Sequence, residues 1–205
     1  MSVAVLIVGL IVVAGVAFWW YWPQSSYRTH TGWAVAQPVP FSHQHHVSGL
    51  GIDCRFCHAT VEVSSNAGLP STYTCMTCHS QIWTNAKLLA PVRESLAKNE
   101  PLHWQRITDL PDYVYFNHGI HVAKGVGCAS CHGDVASMSL NFKARSLTMG
   151  FCLDCHRNPG PNLRPADQIF NTAWQRTGAT PSPQALLQQY HVADRRLTDC
   201  SLCHR

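Results

Sequence analysis

The chain has 205 residues, 46% hydrophobic and only 13% charged, with a formal charge of +4. One apolar run near the N-terminus supplies part of the hydrophobic share, which leaves about 180 residues for a soluble part. The modest positive balance supports no nucleic-acid or basic-patch reading. Val3 to Trp22 is twenty residues without a charge, long enough to span a bilayer as a helix. Trp19, Trp20, Tyr21 and Trp22 form an aromatic belt at its far end, and Pro23 is expected to stop it. A cleaved signal peptide is the competing reading. Against it, no Lys or Arg precedes the run, the run exceeds an ordinary h-region, and Ala34-Val35-Ala36 lies too far beyond it to be its cleavage site. A retained anchor over residues 1–22 is the expectation.

Residues 23–40, with Pro23, Pro38 and Pro40 and no periodicity, read as a linker. An internal repeat follows. Phe41-Ser42-His43-Gln44-His45-His46, seven residues, then Cys54, is matched by Phe116-Asn117-His118-Gly119-Ile120-His121, six residues, then Cys128. The repeat divides residues 41–205 into two modules, about 41–99 and 116–165, and a tail over 166–205. Units this short cannot bury a core alone and are expected to pack together. Between the modules, Pro91 to Leu96 reads as a short helix opened by Pro. In the tail Ser182 caps a second, with Pro183 in its first turn and Leu186, Leu187 and Tyr190 on its apolar face. No alternating strand run appears.

All ten cysteines fall in five copies of Cys-x-x-Cys-His. The pairs are Cys54 and Cys57, Cys75 and Cys78, Cys128 and Cys131, Cys152 and Cys155, and Cys200 and Cys203, followed by His58, His79, His132, His156 and His204. This is the attachment pattern of c-type haem: two thiolates add to the vinyl groups, and the adjacent His ligates the iron. A zinc ribbon uses two Cys pairs per metal and would leave one pair over. A thioredoxin-like motif occurs once, beside a βαβ pattern absent here, and a disulfide scaffold would vary its spacings. Five covalent haems are therefore expected, with the soluble part outside the cytoplasm where such attachment takes place. At roughly 36 residues per haem the macrocycles must supply much of the core, so the expected fold is mainly irregular, with short α-helices around them. Haem propionates also turn the small positive charge of the polypeptide near-neutral or negative.

Eight His remain for the opposite face of each iron: His30, His43, His45, His46, His103, His118, His121 and His191. His43, His46, His118 and His121 hold equivalent places in the repeat. Their i,i+3 spacing puts each pair on one side of a helical turn, able to face two different haems. The fifth haem has two candidates, Met149 three residues before Cys152 and His191 nine before Cys200, and spacing alone slightly favours His191. His30, His45 and His103 have no repeat partner.

The His-x-x-His before Cys-x-x-Cys-His resembles class III multihaem cytochromes. The stretches QPVPFSHQHHVSGLGIDCRFCHATVEVSSNAGLP, CMTCHSQIW, PVRES, LPDYVYFNHGIHVAKGVGCASCHG, LTMGFCLDCHRNP, NLRP and LTDCSLCHR further resemble the pentahaem cytochrome c subunit of bacterial alternative complex III. The resemblance implies a single-pass subunit with its haem domain on the periplasmic side. It would carry electrons within a quinol-oxidising respiratory or photosynthetic complex, without bond-making chemistry of its own. The implied partners are a large iron–sulfur subunit, polytopic quinol-binding membrane subunits, a monohaem cytochrome and a soluble electron carrier. It also implies four bis-His haems and one His/Met haem, which turns the fifth ligand toward Met149. Thr108 departs from the pattern, since related sequences often carry His in that stretch. Two other function classes stand beside this one. A multihaem reductase would want an iron without a distal ligand, and an anchored quinol dehydrogenase would want its first haem against the membrane, whereas Cys54 follows the apolar run by 31 residues.

Overall fold

The computed structural model describes residues 2–192 and 196–204; Arg205, the last residue of the LTDCSLCHR stretch, lies outside them. Helix α1 (Val3–Tyr21) contains no buried residue and is long and apolar enough to cross a membrane. Pro23 ends it by forcing the tighter turn Trp22–Gln24, and α2 (Ser26–Thr29) follows and closes on His30 at φ 56°.

The segment expected to be a linker is held along part of its length. Thr31 and Ala34 form isolated bridges to Lys143 and Phe142, Gln37 exchanges two 2.9 Å hydrogen bonds with the backbone of Gln105, and Val39 is buried. Proline blocks a regular element here, but free backbone groups still need partners; Thr31 and Ala34 find them on the second module, and the Gln37 side chain pairs with the stretch between the modules.

Beyond it the described residues form short helices and turns, with bridges but no strand. Five of these helices carry the Cys units: α3 (Cys54–Cys57), α4 (Thr72–His79), α7 (Cys128–His132), α8 (Met149–Arg157) and α10 (Cys200–Cys203), while α5 (Ala90–Lys98), α6 (His118–Ala123) and α9 (Pro183–Gln189) support them. Polar caps set several starts. Asp53 accepts from the Arg55 amide, Asn117 from Ile120, Thr148 from Phe151 and Ser182 from Ala185. Both sequence-expected helices are present, extended slightly to α5 and shortened to α9, whose Leu186 is fully buried.

The two copies of the repeat differ in one informative way. The second forms α6, while the first forms a π-helical turn over Gln44–Gly49. Ile52 N donates to His46 O in the first copy and Val126 N to His121 O in the second, each donor two residues before a Cys. The extra residue of the first copy is absorbed by the wider π turn, so both loops close on the same bond.

The modules pack together rather than standing apart. Gly119 of α6 lies so close to the backbone of Glu62 that a Cβ would sit 2.9 Å from its carbonyl oxygen, and the Gly119 amide donates to Ser64 O. In return Gln44 N donates to Met138 O and Ser48 to Ala136 O. Still, the polypeptide core is thin. The accessible surface is 13909 Å², against about 9,600 Å² for an ordinary folded monomer of this mass. Even with α1 exposed, the chain leaves apolar surface that something other than its own side chains must cover.

Candidate haem-binding site

Each Cys pair lies in a helical turn, so its two thiols, three residues apart, lie on one side of the backbone. All ten cysteines are free. Burial, the first cause in each case, pushes up the thiols of Cys54, Cys57, Cys75, Cys152 and Cys155, and takes Cys128 and Cys131 to about 11. These thiols are half-buried, unlike a reactive exposed thiolate.

The His that closes each unit is oriented by the backbone. Nδ1 of His58 pairs with Gly68 O at 2.7 Å, His79 with Ile82 O at 3.3 Å, His156 with Leu197 O at 2.5 Å and His204 with Tyr113 O at 3.1 Å. A carbonyl can only accept, so Nδ1 carries the proton and Nε2 keeps a free lone pair, the form that binds a metal. His132 is instead held by burial, which lowers its pKa to about 4, followed by the charges of His118 and His58. It is neutral, with the same ligating capacity.

The repeat His residues face these rings. His46 lies 6.2 Å from His79, His118 lies 6.4 Å from His132 at 11° between planes, and His121 lies 6.1 Å from His156. His43 is lowered to about 4 by burial and then, in order, by the nearby charges of His58, His46 and His132. The turn of α6 therefore directs its two imidazoles at two different Cys units, and His46, His118 and His121 each face the His of a different unit, the second, third and fourth. Orientation is again set by carbonyls, His46 to Ser42 O, His118 to Ser65 O and His121 to Asn117 O. The exception is His43, whose buried Nδ1 has no partner.

One further feature repeats that spacing alone did not single out as part of the site. Phe41 stands edge-on to His43 and stacks on His46 at 4.4 Å; Phe116 does the same to His118 and His121, stacking at 4.5 Å. The aromatic two residues before the first His is a wedge that fixes both rings of the turn. The accepting carbonyls were invisible to sequence reading, because every residue carries one.

These donors fit c-type haem. Two iron–imidazole bonds of about 2 Å, plus the offset of each nitrogen from its ring centre, place two rings across one iron about 6 Å apart. The three measured pairs have this separation. Among the described residues no three His, Cys, Asp or Glu side chains converge as a zinc site requires.

The other candidates fall elsewhere. Met149 opens α8, is 60% exposed, and precedes the Cys152 thiol, which burial and then the nearby Cys203 push up. His191 lies two residues past the end of α9, with φ 49°, and is exposed. His30 stacks on Trp33, His45 lies tilted against Trp83, and His103 is exposed in an irregular stretch.

No protein-family model matches the chain. It is 32% identical over 172 residues to the protein named "Menaquinone reductase, multiheme cytochrome c subunit" from Nitratidesulfovibrio vulgaris, a match covering 74% of this chain and 79% of that one. With that length of shared sequence, the chain belongs to the family of multihaem cytochrome c subunits.

Proposed function

We propose that the chain is a membrane-anchored pentahaem cytochrome c that relays electrons within a quinone-linked complex. The observation that carries this reading is the facing of imidazoles across haem-sized gaps, His46 to His79, His118 to His132 and His121 to His156. When bound, c-type haem supplies a one-electron ferric–ferrous couple. The residues of this chain do the rest. The ten cysteines would hold five macrocycles covalently, and His58, His79, His132, His156 and His204 would bind their irons. His43, His46, His118 and His121 would supply the second protein ligand of the first four, and Met149 that of the fifth. A chain so ligated would leave no iron open to a substrate and would carry electrons rather than make bonds.

Residues 1–22 act as the retained anchor, 23–40 as the connection, and 41–205 as one haem domain on the extracytoplasmic side. The complex is alternative complex III, where the chain would stand with an iron–sulfur subunit, polytopic quinol-binding subunits, a monohaem cytochrome and a soluble carrier. The relative named for menaquinone reductase supports the quinone link and offers a second reading with electrons running the opposite way.

Purifying the native complex from membranes tests these readings. Five haems per chain and quinol-driven reduction of the haems are expected, together with the subunits named above. Fewer than five haems, or binding of CO to an untreated haem, would overturn the closed-relay reading. Electron flow only from haem to quinone would instead make the complex a menaquinone reductase.

A further inference from the structure

The contacts between Cys units follow a definite order that differs from their order in the sequence. The π turn links the first unit to the second, since His46 faces His79 while Ile52 N, two residues before Cys54, donates to His46 O. The first and third units meet on consecutive residues: Cys54 Sγ lies 3.9 Å from Phe170 O, and the Cys128 amide donates to Ile169 O at 3.1 Å. Helix α6 joins the third and fourth, with His118 at His132 and His121 at His156. The fourth and fifth are joined by the bond from His156 Nδ1 to Leu197 O, three residues before Cys200.

A separate observation marks the ends. Of the ten cysteines only Cys78 and Cys200 are exposed, and they belong to the second and fifth units.

Building on the relay reading above, we propose that the five attachment sites form one unbranched line, in the order Cys75, Cys54, Cys128, Cys152 and Cys200. Electrons then enter and leave through the exposed Cys75/Cys78 and Cys200/Cys203 sites. The Cys54 and Cys128 sites lie inside the line and reach partners only through their neighbours. The N-terminal unit in sequence is thus not terminal in space. The π turn makes this possible, because it turns one His forward to the second unit while its neighbour closes the first.

Electron cryo-microscopy of the native haem-loaded complex tests the order directly, since each iron can be assigned by the Cys pair that holds its haem. The expected result gives the Cys54 iron two close neighbours, those of Cys75 and Cys128, and gives the Cys75 and Cys200 irons one each. A Cys75 iron with two neighbours within the chain, or a Cys200 iron beside that of Cys54, would overturn it. Redox titration of marked haems gives a second readout. A His46→Met change should raise one midpoint and displace one other, whereas His118→Met should raise one and displace two. Equal numbers of displaced midpoints would refute the line. Five closed haems in another order would sink only this proposal, while a missing or open haem would sink the relay reading instead.

Discussion

The His118 and His132 rings face each other 6.4 Å apart and only 11° from parallel, although one belongs to α6 and the other ends α7. Packing holds this arrangement in place: Ser65 O takes the Nδ1 proton of His118, Phe116 stands edge-on to that ring, and burial keeps His132 neutral. Replacing His118 by Ala is expected to convert one haem in five from low to high spin and let it bind CO. Electron paramagnetic resonance and CO difference spectra measure both. His45→Ala, on the same turn as His46 but tilted against Trp83, should leave all five low-spin.

The same pair can be disturbed without touching a ligand. A Cβ at Gly119 would press on the Glu62 backbone, which cannot swing aside as a side-chain end could. Gly119→Ala should cost about 1–3 kcal/mol and should loosen the bond from His118 to Ser65. The expected outcome is a lower thermal midpoint together with spin-state heterogeneity at a single haem, read by calorimetry and resonance Raman spectroscopy.

Met149 as the fifth distal ligand leads to a spectroscopic prediction. Thioether favours ferrous iron relative to imidazole, so its haem should have the highest of the five potentials. Met149→His should lower that midpoint, displace only the neighbouring one by a smaller amount, and abolish the methionine–iron charge-transfer band in the ferric near-infrared spectrum. Absence of that band from the native protein, or its loss on changing His191 alone, would assign the position to His191.

Asp53 caps α3 and pairs with Arg55 at 2.8 Å, and the hydrogen bond from Arg55 is the main cause that lowers its carboxyl pKa. A carboxylate whose folded pKa is depressed stabilises the fold at neutral pH, and that contribution is lost as pH falls through the folded value. Asp53→Ala should therefore cost about 1 kcal/mol near pH 7, and the difference from the parent should shrink in acid. Denaturant titrations at two pH values check both magnitude and sign.

The anchor yields a prediction about where the chain can be cut. A protein cut at Pro38 keeps every Cys unit but loses Gln37 with its two bonds to Gln105, and the bridges of Thr31 and Ala34. Cutting before Thr29 retains all of them. Both are expected to acquire haem, the longer form with the higher melting temperature. The full chain should stay in membranes after salt washing and keep its N-terminus; a mature N-terminus near Gln37 would instead make Val3–Trp22 a cleaved segment.

Much of this protein is legible in one dimension, because the relevant chemistry is local. A Cys pair and its His lie within one helical turn, so their spacing alone states what they attach. Apolar length states where a bilayer-spanning helix can form, and Pro23 where it must end. The repeat made His43, His46, His118 and His121 equivalent before any coordinate was known. Tertiary structure decided what depends on neighbours distant in sequence: the bonding of residues 31–37 to 105 and 142–143, the Phe wedges as working parts, the carbonyls that turn most of the rings, and which unit His46, His118 and His121 face. It also decided the spatial succession of the units. That succession follows from the contacts of 169–170 with both Cys54 and Cys128, and of Leu197 with His156, and such backbone contacts carry no residue signature. Side-chain chemistry is written in the sequence, whereas the path of a loop between two sites is selected only when the whole chain packs.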